Sequence, residues 1–246
     1  MSVEYIYEGK TIRFYNQWEE GLKPTTMNEV RLSNIEKKEP YTIEWINTFN
    51  EGELFYDVGA NVGVYTIYAT VVKDVSVVAF EPEHVNYCML QRNIYLNKAV
   101  NAVAYCTAMS DKVGHGYLVT RLGVDYQHEH GQTGIANNQF TTGDTNIYSL
   151  SNPPPKHGCL SSTLDQFPPP THLKIDVDGI EKKVIDGAME TLKSEKLKSI
   201  NIEIDSLNPD HELIPDILVG NGFTNQVRHP AVLTPTSSNL ICRRGD

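Results

Sequence analysis

The segment that most constrains this chain is Asp57-Val58-Gly59-Ala60-Asn61-Val62-Gly63, set between the apolar run Leu54 to Tyr56 and the periodic run Val64 to Val72. An apolar run, a turn of small residues and a helical period make a strand, a tight connection and a helix start. Small residues at a strand's carboxyl end let backbone N–H groups and a helix N-terminus approach a ligand closely, while the strand-terminal carboxylate adds a charge. This is the layout of a nucleotide-cofactor site in an α/β sheet.

Spacing narrows the cofactor. A dinucleotide fingerprint needs glycine at 59, 61 and 64, and the chain has Gly59, Asn61 and Val64. What stands instead is acidic-x-Gly-x-Asn-x-Gly. It resembles the D/E-x-G-x-G-x-G loop of S-adenosylmethionine-dependent methyltransferases, with Asn61 in the middle glycine's place. Asparagine is the non-glycine residue most tolerant of positive φ, so the turn survives the exchange. Glycines also serve plain βα connections, and a second acidic strand end carries the argument further. Val75 to Phe80 is near-continuously apolar and ends at Glu81-Pro82, about twenty residues beyond the loop. A carboxylate there can accept hydrogen bonds from both ribose hydroxyls.

The 246 residues suit one α/β domain with additions: a cap over residues 1–50 and a sheet domain over 51–246. A net charge of -10 and a pI near 5.3 repel phosphate backbones and anionic lipid, so neither nucleic acid nor a membrane surface is an expected partner. Cys88, Cys106, Cys159 and Cys242 lie far apart without a C-x-x-C pair, which points away from structural zinc and disulfide frameworks and toward a reducing cytoplasm. No apolar run approaches the length of a membrane span, and no leader pattern opens the chain.

Along the chain, strands alternate with helices, implying a parallel sheet wound on both sides. The expected elements are helix 41–49, strand 54–58, helix 64–72, strand 75–81, helix 85–96, strand 102–108, and a short hairpin over 114–120. A helical turn over 161–165 precedes strand 173–177. Asp178 reads as the N-cap of a helix running to Leu192, in a capping-box arrangement with Glu181. Strand 199–204, a helix over 210–218 and strands near 223–228 and 239–242 complete the pattern. Residues 121–162 lack periodicity and read as a long irregular insertion that lids the substrate.

Four separated segments together resemble the FkbM family of S-adenosylmethionine-dependent methyltransferases. They are Asp57 to Thr66; Phe80-Glu81-Pro82 with Asn93 and Asn97; Ala108-Met109-Ser110-Asp111 with Gly114; and Thr163-Leu164-Asp165 followed by Leu173 to Glu181 and Gly187-Ala188. The family more often shows Glu where Asp178 stands and His where Ile180 stands. The resemblance implies a class I Rossmann-like fold, a seven-stranded, mostly parallel, doubly wound sheet with its last strand antiparallel. It also implies O-methylation of a hydroxyl on a sugar or natural-product-like small molecule. Carried over by position, Asp57, Gly59, Ala60, Asn61 and Gly63 would hold the methionine and ribose portions of the cofactor. Glu81, with Pro82, would take the ribose hydroxyls, and the turn of Ala108, Ser110 and Asp111 the adenine.

Methyl transfer from a sulfonium is an in-line displacement with a good leaving group, so the protein must align the acceptor and remove a proton. In a doubly wound sheet that task falls outside the carboxyl end of the fourth strand, at Asp176 and Asp178. Asp176 is the first choice for the base, or else for a contact to the cofactor's amino group. Asp176 and Glu203 could instead hold a divalent ion, but no metal is expected. Lys174, inside an apolar strand, would be costly unless paired, and is expected to point to an edge of the site or to snorkel. His128-Glu129-His130 reads as a solvent-facing pair and Asn152-Pro153-Pro154 as a stiff linker. The competing functions are a non-catalytic cofactor-binding sensor or scaffold and an N-methyltransferase. Self-association is left open.

Overall fold

The computed structural model describes residues 2–15, 39–120, 138–141, 156–231 and 235–245. In chain order the strands are β1 (Ser2–Tyr7), β2 (Lys10–Tyr15), β3 (Leu54–Val58), β4 (Ser76–Phe80), β5 (Ala102–Tyr105), β6 (Ala108–Met109), β7 (Gly114–Thr120), β8 (Asn138–Thr141), β9 (Lys156–Ser162), β10 (His172–Ile175), β11 (Ser199–Asp205), β12 (Asn225–Pro230) and β13 (Ser237–Arg243). The helices are α1 (Pro40–Ile46), α2 (Val64–Lys73), α3 (His84–Leu96), α4 (Glu181–Asp186), α5 (Met189–Lys193) and α6 (Ile214–Gly220).

Seven strands form the main sheet in the order β12-β13-β11-β10-β3-β4-β5. The strands from β5 to β11 run parallel, and β13 enters antiparallel between β11 and β12. The chain leaves β3 toward β4 and β5 on one side and returns to β10 and β11 on the other. The topological switch point therefore lies between β3 and β10, where such sheets bind ligands. One face packs Leu173, Ile200 and Ile202 against Val184, Leu192 and Leu218 of α4 to α6. The other packs Phe55 and Val77 against Trp45 of α1, Ile67 of α2, and Ile12 and Phe14 of the amino-terminal hairpin. Covering both faces explains why the parallel strands read as continuous apolar runs.

Several expectations shift. The strand expected over 102–108 is two: β5 closes the main sheet, while β6 leaves it to pair with Ser161 and Ser162. The hairpin expected over 114–120 is the single strand β7, joined by β8 and β9 in a four-stranded sheet of order β6-β9-β7-β8. The insertion over 121–162 is thus not irregular throughout, because β8 and β9 occupy part of it. Short polar strands with Gly and Thr carry too little alternation to announce themselves. Its remaining residues, including His128, His130 and Asn152 to Pro155, lie outside the described ones. Ser161 and Ser162 end β9, and the helical turn begins only at Leu164.

Asp178 is not an N-cap. It takes a left-handed φ of 57°, Gly179 follows at 108°, and the helix starts at Glu181. The helix expected to reach Leu192 breaks at Gly187-Ala188 into α4 and α5. Gly187 is required there, since a Cβ would stand 2.0 Å from the carbonyl oxygen of Ser110.

The hairpin β1–β2 lies across α2 and α3, where Asn97 and Asn93 accept the N–H groups of Arg13 and Tyr15 at 2.7 Å. Asn93 also donates to the carbonyl of Val62 at 2.8 Å, linking hairpin and loop. Among the described residues no helix is long and apolar enough to cross a membrane. All four cysteines are free.

The carboxyl-terminal segment is locked by Arg244. Its guanidinium donates to the carbonyls of Leu192, Ser194, Leu197 and Asn221 at 2.8–3.0 Å and lies over the Phe223 ring. Three of them, Leu192, Ser194 and Asn221, lie at the ends of α5 and α6, where carbonyls lack a partner within the helix. Lysine cannot reproduce a planar fork across four acceptors. Arg244→Lys should therefore cost about 2–4 kcal/mol in urea unfolding with an unchanged m-value.

Candidate functional site

In parallel strands, residues in register share a face, and the next residue on that face is two positions further on. From β3 through β10 to β11 this gives three ascending rows on the α1–α2 side of the sheet. The lowest is Phe55, His172 and Ser199, where Ser199 takes a hydrogen bond from the Trp45 indole at 2.8 Å. The second is Asp57, Lys174 and Asn201, all polar and all buried. The third, at the carboxyl edge, is Gly59, Asp176 and Glu203. Polarity rises toward the switch point as the rows leave the apolar layer.

Lys174 is 2% exposed and ion-pairs with Asp176 at 2.7 Å. Its ammonium also stands over the Tyr65 ring, 5.0 Å from the centroid. Burial opposes its charge, but Asp176, Glu39 and Asp57 outweigh that and hold its pKa above the ordinary value. The lysine therefore does not snorkel. It is the fixed cation of the site.

Asp57 is fully buried, and burial raises its carboxyl while Lys174 opposes the shift. Thr66 donates to its Oδ2 at 2.7 Å, and Oδ1 accepts no hydrogen bond although it is buried. A buried carboxylate oxygen without a donor is costly. It marks a place where a ligand ammonium or hydroxyl would be held. Glu203 is pushed up to about 8, first by the negative charge of Asp176 and then by burial. The charge of Asp176 beside it thus disfavours the ionised form of Glu203.

The loop from Asp57 to Gly63 has its expected backbone. Gly59, Asn61 and Gly63 adopt φ of 83°, 52° and 87°. A Cβ on Gly59 would lie 1.7 Å from the carbonyl oxygen of Asp176, so only glycine lets β3 and β10 close at this edge. The loop amides are all engaged within the protein. Gly59 and Ala60 donate to the carbonyl of Phe80, Asn61 to Glu81 Oε2, Val62 to the Asn61 side chain and Gly63 to Ala60. The loop thus offers close approach and shape rather than free N–H donors.

Glu81 accepts from the Asn61 and Glu83 amides at 2.8 and 2.9 Å, and burial raises its pKa to about 7. A carboxylate has about four acceptor sites, so room for hydroxyl donors remains. Pro82 follows, half-buried. Ala108 is buried against Leu118, Phe140 and Ile180, Ser110 donates to Asp111 at 3.0 Å, and Asp111 is exposed. This turn belongs to the second sheet, which meets the main sheet through Ile180 and Val177 beyond β10.

Asp178 is exposed on the turn after β10. Glu181 faces inward, accepting from the amides of Val177 and Gly179 at 3.0 Å, and its other flank stands 2.8 Å from His211 Nε2. It holds the turn that presents Asp176 and Asp178. Four participants escaped the sequence reading. Tyr65 hydrogen-bonds Glu39, whose Oε2 accepts from Thr42 at 3.1 Å, and Thr42 accepts from Asn201 at 3.0 Å. The only available signal was the register that aligns Asn201 with Lys174, which needs the pairing of β10 and β11 to be known.

The family model described as the methyltransferase FkbM domain matches residues 57–224. The chain is 24% identical over 220 residues to the 31-O-demethyl-FK506 methyltransferase FkbM of Streptomyces tacrolimicus, covering 78% of this chain and 81% of that protein. In fold it is similar to the methyltransferase FkbM from Methylobacillus flagellatus KT, with a TM-score of 0.54 and 14% identity. That match covers 79% of this chain and 44% of the other, so the chain spans less than half of that structure's length. The matched segment runs from the Asp57 loop through the acidic carboxyl edge and beyond β11, and the chain belongs to the FkbM methyltransferase family.

Proposed function

We propose that this chain methylates a hydroxyl group on a sugar or natural-product-like small molecule, using S-adenosylmethionine. The observation that carries the reading is the meeting, at one switch point, of the Asp57–Gly63 loop, the Glu81 strand end and the acidic pair Asp176 and Glu203. The curated relative, named for methylating 31-O-demethyl-FK506, supports an oxygen acceptor.

When bound, S-adenosylmethionine supplies a methyl group on a cationic sulfur. The residues present fit it. The orphaned Oδ1 of Asp57 suits the ammonium of the methionine portion, and the remaining acceptor sites of Glu81 suit the ribose hydroxyls. The turn of Ala108, Ser110 and Asp111 closes the adenine end. Asp176 would accept the proton that the acceptor hydroxyl gives up as it takes the methyl group. Lys174 keeps Asp176 in place, and Asp178 faces the acceptor from the turn above.

Binding is tested by calorimetry. The chain should bind S-adenosylhomocysteine, and Gly59→Ala should abolish binding, because the added methyl would enter the Asp176 carbonyl. Absence of binding by the unaltered chain would overturn the reading.

For the chemical step, Asp176→Asn should lower kcat by about 10²–10⁴-fold with cofactor affinity within a few-fold. A comparable loss of affinity would make Asp176 a cofactor contact instead.

Glu203 sets the pH dependence. Its folded pKa is raised to about 8, so it is neutral below that pH and ionises above it. A second negative charge beside Asp176 makes the pair a stronger proton acceptor. The rate should rise through about pH 8, and Glu203→Gln should flatten that rise while retaining activity at pH 7.

A further inference from the structure

A second group of ligating side chains lies away from the acidic rows, where β9 meets the start of α3. Glu83 is the N-cap of α3 and is 0% exposed; its Oε2 accepts the Asn86 amide at 2.8 Å. Its Oε1 is buried and accepts no hydrogen bond, although His84 Nδ1 stands 3.1 Å away. His157, on β9, turns its ring at 88° to that of His84 with centroids 5.0 Å apart, and its Nε2 is buried without a partner. One donor atom from each of the three residues lies within 4.8 Å of the others.

Two buried polar atoms from different elements, both without partners and both turned to one point, call for a ligand. The donor chemistry says which. Two imidazoles and a carboxylate form the set that takes zinc with one coordination position open, whereas magnesium and calcium favour all-oxygen sites. Ligand atoms on a tetrahedral zinc sit roughly 3.3 Å apart, given bonds of about 2.0–2.1 Å. The His84 side chain, 68% exposed, is free to swing inward and opens a path from solvent.

We propose that Glu83, His84 and His157 bind one divalent transition-metal ion of the zinc class, fastening β9 of the second sheet to the N-terminus of α3. The ion would stand next to the cofactor edge, because the Glu83 amide donates to Glu81 Oε1 at 2.9 Å. The site is independent of the methyl-transfer reading. Sequence spacing gives no hint of it, since β9 lies far along the chain from Glu83-His84.

The test is a Co²⁺ titration of the full chain after chelator treatment, followed by visible absorption. Bands that saturate at one equivalent and vanish on adding Zn²⁺ are expected. His84→Ala, whose side chain is exposed, and His157→Ala should each weaken binding at least tenfold, with circular dichroism unchanged for His84→Ala. The double variant His128→Ala/His130→Ala should bind as the unaltered chain does. Absence of bands, or bands that persist undiminished in both His84→Ala and His157→Ala, would overturn the proposal.

Discussion

A buried ammonium organises the carboxyl edge of this protein. Lys174 sits among Asp57, Asp176 and Glu39, and burying those acids without it would be prohibitive. Its ion pair with Asp176 is short, and its position over Tyr65 limits where the head group can go. Replacing the lysine by an apolar residue would leave uncompensated charge in the core, which neutralises itself by taking up protons. The side chain therefore sets both the protonation and the geometry of the residues around it.

The same edge depends on close backbone approach. Gly59 brings the end of β3 onto the Asp176 carbonyl, and the loop amides bond inward to Phe80 and Glu81. Strand end, loop and the next strand end thus form one rigid unit before any ligand arrives. The amino-terminal region adds to it from above. Glu39, just ahead of α1, joins Tyr65 to Thr42 and Asn201, so residues outside the sheet domain complete the polar surroundings of Lys174.

The parallel sheet was legible because buried parallel strands write themselves as apolar runs, as Leu54 to Tyr56 and Val77 to Phe80 do. The left-handed Asn61 was legible from residue chemistry alone. What failed were features set by tertiary contact. Asp178 followed by a Glu three residues later matches a capping box, yet Gly179 extends the turn and Glu181 caps it backwards through the amides of Val177 and Gly179. The strands β8 and β9 were invisible because their sequences are polar and Gly-containing, and only pairing with β7 gives them order. Asp176 and Glu203 were identifiable as strand-end acids, but their mutual influence follows from the β10–β11 register, which no local pattern reveals.

That register bears on how the proposed reaction handles charge. Methyl transfer removes a positive charge from sulfur and frees a proton from the acceptor. If Asp176 takes that proton, the acidic edge loses one negative charge beside Lys174. Lys174 is the constant cation, and Glu203 is biased toward its neutral form by the charge of Asp176 and by burial. Asp176 is the carboxylate of the third row that pairs with this cation at the switch point. In the proposed reaction one row would supply both an anion and a proton acceptor, without importing a further charge into the site. The cost of placing so many carboxylates together is eased by Lys174 and by the raised pKa of Glu203, which favours its neutral form.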